Sequence, residues 1–154
     1  MTYPKVLNAD FGYTRSYLDL RGFTSVTIGS EKVVFGGQML YDVTLNDAPF
    51  YDLPTYGGDQ LMRGILRYRF IDKASLCAQV EARARIWWIL GLAAFAAYGD
   101  VAPDLTSFST NHARFTGGGG LRVYLDREAG LTGRIDVGFS ELGTAVYFTF
   151  GEAF

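Results

Sequence analysis

The residues of this chain best equipped for chemistry are charged ones set in alternation. From Ser75 to Arg85 it reads Ser-Leu-Cys-Ala-Gln-Val-Glu-Ala-Arg-Ala-Arg, so Gln79, Glu81, Arg83 and Arg85 alternate with Ala78, Val80, Ala82 and Ala84. A period of two places the polar side chains on one face of a strand. Carboxylates and guanidiniums that share a face can pair bidentately, which is anchoring chemistry rather than catalysis. Asp19, Asp42, Glu81 and Asp136 are the acids available to Arg21, Arg83, Arg85, Arg114, Arg122 and Arg134. The acids are outnumbered, so some of these arginines must reach water, a loop or an acidic lipid headgroup.

Other chemistries find fewer residues in workable spacing. His112 is the single histidine, and Ser107 or Ser109 with Asp100 or Asp104 could complete a Ser-His-Asp arrangement around it. Serine and aspartate are common in loops, so chance explains that cluster more simply, and no catalytic residue is assigned. Cys77 stands alone, which excludes an internal disulfide and offers no zinc-like spacing; no metal site is expected. The run Gly117 to Gly120 is followed by neither Lys-Ser nor Lys-Thr, so it is not a phosphate loop. It predicts a sharp strand bend or close packing of a loop, and no cofactor is expected. With a net charge of −2 and basic residues interleaved with apolar ones, a nucleic-acid partner is not expected.

The elements that must carry these faces recur along the chain. An aromatic content of 16% and 19 glycines favour one all-β domain over residues 1–154. Alternation predicts a first strand near Leu7 to Tyr13 with a turn at Tyr13 to Ser16, a second strand ending at Ile28, and a turn over Gly29 to Lys32. A third strand follows from Val33 to Thr44, then a long loop at about 46–73 holding Pro49, Pro54 and Gly57-Gly58. Further strands are expected near 74–86, 88–98, 114–125 and 131–139. A last one turns Val146, Phe148 and Phe150 outward and Tyr147 and Thr149 inward. Trp87-Trp88 and Asp126 to Gly130 make short turns, and a second loop runs from Gly99 to about Asn111.

Segments of roughly ten residues, apolar on one face and polar on the other, are the signature of a transmembrane β-barrel, and of the eight segments here the one near 88–98 is apolar on both faces. The expected fold is therefore an eight-stranded antiparallel transmembrane β-barrel, the smallest closed form, whose interior is just wide enough to be filled by side chains. The longest uncharged run, Ile86 to Gly99, has 14 residues, fewer than the roughly 18 needed for a spanning helix. Trp87 and Trp88 suit a membrane-interface turn. Short turns fall on one rim, expected to be periplasmic, and longer loops on the other. The bacterial outer membrane is the expected location and its lipids the expected surroundings. Met1 is followed by Thr2-Tyr3-Pro4-Lys5 without a secretory signal, so a mature chain or a fragment is expected.

Pro49-Phe50-Tyr51-Asp52-Leu53-Pro54-Thr55-Tyr56-Gly57-Gly58, followed by Leu61-Met62-Arg63-Gly64-Ile65, resembles the BamA/TamA outer-membrane superfamily. The resemblance runs from about Leu18 to Phe154 and continues through Arg67-Tyr68-Arg69-Phe70, Gly120-Leu121-Arg122, Arg134-Ile135-Asp136-Val137-Gly138 and the closing Phe148 to Phe154. It implies a sixth extracellular loop folded into the lumen, with Arg63 and Gly64 at its tip and Ile65 in place of the usual aromatic. It also implies that the tip arginine pairs with lumen-facing acids, here Glu81 or Asp136. Phe148, Phe150 and Phe154 match the family's alternating terminal aromatics, which implies an assembly signal read by the barrel-assembly machinery.

Two departures qualify the resemblance. Phe95-Ala96-Ala97-Tyr98-Gly99 puts Ala97 where the family carries an acid, which weakens or moves the anchor of the loop. The chain also corresponds only to the last eight of sixteen strands, without periplasmic POTRA domains. The expected function is that of a small, non-enzymatic outer-membrane barrel with a structural, membrane-organising or assembly role. One alternative is an excised C-terminal barrel of a longer insertion factor or patatin-linked protein. Another is a small outer-membrane lipid-modifying enzyme. Because eight is half of sixteen, a homodimer that merges sheets is conceivable, although self-closure would satisfy the same backbone groups.

Overall fold

The computed structural model describes residues 12–29, 31–110, 112–126 and 131–154. The alternating segments form long strands because most of them present an apolar face and a polar one, while Leu90–Ala102 is apolar on both faces over most of its length. In chain order the strands are β1 (Tyr13–Ile28), β2 (Glu31–Asn46), the short β3 (Thr55–Tyr56) and β4 (Phe70–Ile71), β5 (Ala74–Arg85), β6 (Leu90–Ala102), β7 (Arg114–Asp126), β8 (Leu131–Ser140) and β9 (Gly143–Phe150). Seven of them make one sheet in the order β1-β2-β5-β6-β7-β8-β9, with every neighbouring pair antiparallel. β3 and β4 form a separate two-stranded ribbon within the loop that joins β2 to β5.

The predicted turn at Tyr13 to Ser16 is not there. Tyr13 to Ser16 are strand, paired with Asn46 to Val43. Arg15 explains the extension, since it bonds Asp42 across the ladder at 2.5 Å and holds the top of the hairpin together. The predicted first strand over Leu7 to Tyr13 otherwise lies outside the described residues. At the other end of the hairpin Gly29 takes φ +65°, and β2 has already begun at Glu31, so the turn is tighter than the predicted Gly29 to Lys32. β6 runs on to Ala102, so the second loop starts later than the predicted Gly99. Trp87 and Trp88 sit in the tight β5–β6 turn, where both side chains are exposed.

One face of the sheet is apolar and open. Leu20, Met39, Val80, Leu92, Phe115 and Phe148 represent it, each at least 44% exposed. The opposite face carries Gln38, Gln79, Glu81, Arg122, Arg134 and Asp136, all buried. Burial on that face requires curvature: Arg63 reaches Glu81 on β5 and Asp136 on β8, three places apart in the sheet order. Flat strands that far apart would be separated by roughly 14 Å, at about 4.8 Å per neighbour. The polar face is therefore the inside of a curl, and the β2–β5 loop fills it. Among the described residues β1 and β9 are the two edges of the sheet and share no ladder.

Candidate functional site

The site is built where the β2–β5 loop enters the curl. Two features of the loop position its tip. Thr55–Tyr56 pair with Phe70–Ile71 to make a neck, and the Thr55 hydroxyl donates to the Phe70 carbonyl at 2.8 Å. Tyr56 stacks on Phe70, and burial pushes its hydroxyl pKa above the ordinary tyrosine value. Beyond the neck Met62 and Gly64 take left-handed backbone, at φ 53° and 111°, and the chain reverses around Arg63. Gly64 is held from both sides: its N–H donates to the Tyr147 hydroxyl at 3.2 Å and its carbonyl accepts from Ser140 Oγ at 2.9 Å.

Arg63 is 1% exposed. Its guanidinium donates to Asp136 Oδ2 at 2.8 Å and to Glu81 Oε2. The sequence left the partner open between those two acids, and the structure brings both to the same arginine. Arg122 from β7 completes a square, bonding Asp136 at 2.5 Å and Glu81 at 3.0 Å. All four side chains are fully buried. Arg63 also lies 3.5 Å over the centre of the Phe95 ring, a cation–π contact that faces a guanidinium whose Nε has no hydrogen-bond partner.

Buried ions of one sign in excess would be costly, and the surrounding acids remove the excess. Arg134 lies 3.2 Å from Asp136, and its Nη2 donates to the Asp59 carbonyl at 2.8 Å, with the Asp59 carboxylate 3.8 Å away. Arg83 bonds Glu81 at 2.5 Å and lies 3.5 Å from Glu152, which also meets Arg122 at 3.1 Å. Four guanidiniums thus face the four carboxylates of Glu81, Asp136, Asp59 and Glu152. The two acids missing from the strand faces come from the loop and from the segment after β9. Arg114 stands outside this group, paired with Glu141, and Arg21 pairs with Asp19.

The small residues of β6 to β8 make room for the tip. A Cβ added at Gly138 would lie 2.5 Å from the Arg63 carbonyl carbon and 2.6 Å from the Gly64 nitrogen. The glycine run divides by parity, with Gly118 and Gly120 inside, where Phe95 and the ion network leave no space for a side chain. Room for the Phe95 ring and for the Asp136 and Arg122 side chains is therefore what these two glycines supply. Ala97, at the position of the absent acid, is buried with Leu40, Cys77, Tyr56, Met62 and Ile65. The loop is consequently held by two kinds of contact: an ionic square at Arg63 and an apolar cluster beside it.

The predicted terminal aromatics separate. Phe148 and Phe150 point outward, 75% and 77% exposed. Phe154 turns inward instead, because Gly151 takes φ 82° after β9 and its N–H donates to the Thr132 carbonyl at 2.8 Å. The residues considered for a triad do not converge as one. Ser107 Oγ donates directly to Asp104 Oδ2 at 2.7 Å and the Ser109 amide donates to Asp100, the geometry of a capped turn. Those bonds, led by Ser107 and followed by Thr106, hold the Asp104 carboxyl below its ordinary pKa. Among the described residues no group of His, Cys, Asp and Glu could hold a metal.

Sequence reasoning missed Asp59, Glu152, Phe95 and Gly138 as parts of the site. Phe95 and Gly138 had the correct parity, but nothing in parity marks an inward residue as a contact. Asp59 and Glu152 lie outside the alternating segments, where parity says nothing. No family model matches the chain, and no curated protein matches it.

Proposed function

We propose that this chain is a small integral outer-membrane β-barrel of BamA/TamA type, with a structural or membrane-organising role in the bilayer. The observation that carries the reading is the buried Arg63, bridging Glu81 and Asp136 inside a curl of strands whose other face is apolar. A soluble sandwich would bury the apolar face and solvate the charged one; this sheet does the reverse, as a lipid-facing barrel must. In lipid the exposed face would meet acyl chains, and Trp87 and Trp88 would mark the interface.

Strand direction supports closure by one more strand. Seven alternating strands leave β1 and β9 running the same way, so direct pairing between them would be parallel. A strand running the opposite way would complete an antiparallel ring, and unpaired edges cost several kcal/mol per backbone group in hydrocarbon. One such strand added to the seven would make the eight-stranded barrel. The same open edges suit a second reading, in which this chain is the C-terminal part of a longer barrel with an insertion or translocation role. In both readings the outward Phe148 and Phe150, with Phe154, are the elements available to the barrel-assembly machinery before folding ends.

The test is to express the full open reading frame in a Gram-negative host, fractionate the membranes and compare electrophoretic mobility before and after boiling. The proposal expects recovery in carbonate-washed outer membranes and a heat-dependent mobility shift. A protein that stays in the aqueous fraction refutes it. The length of the reading frame separates the two forms of the reading.

A further inference from the structure

The four residues after β9 do something that the strand ladder does not. Leaving β9 at one edge of the sheet, the chain turns at Gly151, crosses the mouth of the curl and ends its course against β1 and β2 at the other edge. On the way Glu152 meets Arg122 at 3.1 Å and Arg83 at 3.5 Å, and Ala153 is 8% exposed. The Phe154 ring then stacks on Phe23 of β1, with centroids 6.0 Å apart and planes 26° from parallel, and the Arg83 guanidinium lies 5.5 Å from its centre. The floor of this niche is Gly36 of β2. A Cβ there would stand 2.9 Å from the Phe154 ring and 3.0 Å from the Phe23 ring, so the niche exists only because the residue is glycine.

We propose that Gly151–Phe154 is an intramolecular latch that holds the two edges of the sheet together across the mouth of the curl. It has an ionic half, Glu152 on Arg83 and Arg122, and an aromatic half, Phe154 on Phe23 over Gly36. The latch joins β9 to β1 and β2 through side chains where no backbone ladder joins them. It lies toward the end of the interior opposite to the one through which the β2–β5 loop enters. Release of Phe154 would free the edges without breaking any strand pair. The contacts of the latch are all within the chain, so they need no bilayer, and they carry the edges alone where no further strand is laddered between β1 and β9.

The experiment measures the distance between the edges. Spin labels are placed at Thr24→Cys on β1 and Val146→Cys on β9 in a Cys77→Ala background, and pulsed dipolar spectroscopy is recorded on the purified full chain. The latched chain is expected to give one narrow distance distribution. Phe154→Ala, and Gly36→Val with the ring intact, are each expected to broaden it and shift it to longer distance, while Phe154→Tyr keeps it narrow. Glu152→Gln tests the ionic half without touching the niche and is expected to broaden the distribution less. Circular dichroism should keep its β signal in every variant. A distribution that stays narrow in Phe154→Ala or Gly36→Val overturns the proposal. So does loss of the β signal in both, because a latch holds edges together and does not hold strands.

Discussion

Removing the Arg63 side chain tests the central geometry most directly. A buried ion pair cut from one side costs about 3 to 5 kcal/mol, because the surviving charge is stranded. Here neither acid is stranded: Glu81 keeps Arg83 and Arg122, and Asp136 keeps Arg122 and Arg134. The loss should therefore fall at the low end, about 3 kcal/mol, and consist of two charge-assisted bonds of roughly 1.5 kcal/mol each. Cys77 reports it, being 1% exposed beneath Tyr56, Met62 and Ile65 of the loop, so its thiol becomes reactive when the loop leaves. At about 1.4 kcal/mol per factor of ten, Arg63→Ala should raise the Cys77 labelling rate roughly 100-fold when reclosing outpaces the reagent. A solvent-exposed pair, worth at most about 1 kcal/mol, would give roughly fivefold. Double-mutant cycles with Glu81→Gln and with Asp136→Asn should each show coupling of about 1.5 kcal/mol, because the arginine bonds both acids. Additivity in either cycle would refute the bridge, and unchanged labelling in Arg63→Ala would refute the locked loop.

Other expected outcomes follow from the same contacts. Gly138→Val puts side-chain atoms where the Arg63 carbonyl sits, so it should release the loop and raise Cys77 labelling as Arg63→Ala does, although it removes no charge. Val80→Arg, on the exposed apolar face, should impair bilayer insertion by about 2 to 4 kcal/mol if the site lies near mid-membrane, measured by refolding into vesicles; no loss would refute lipid contact there. Phe150→Ser should lower outer-membrane assembly in cells yet leave refolding in detergent intact, because the side chain touches solvent and not the core; equal loss in both assays would make it a folding residue. The depressed Asp104 carboxyl stabilises its turn above the unfolded pKa of about 3.9, and that contribution disappears as pH falls through the lower folded value. Amide exchange at Thr106 should quicken over that acid range in the wild type and lack the step in Asp104→Asn.

The sequence by itself determined what depends on neighbours two residues apart. A strand's side chains alternate faces by covalent geometry, so Glu81, Arg122, Asp136 and Tyr147 could be assigned to one side and Phe148 and Phe150 to the other without any knowledge of strand pairing. The Trp87-Trp88 turn and the punctuation at Gly29 were legible for the same local reason. What the tertiary structure decided depends on curvature and on chain returning from far away. Arg63 and Asp136 are 73 residues apart, and only the curl of the sheet decides that one guanidinium can span to both acids. The acids that neutralise the network, Asp59 and Glu152, come from irregular chain with no period to read. Phe154 has the parity of Phe148 and Phe150, and an extended chain would have pointed it outward. A single left-handed Gly151 breaks the period and sends the ring to Phe23, because parity carries over only while the backbone stays extended.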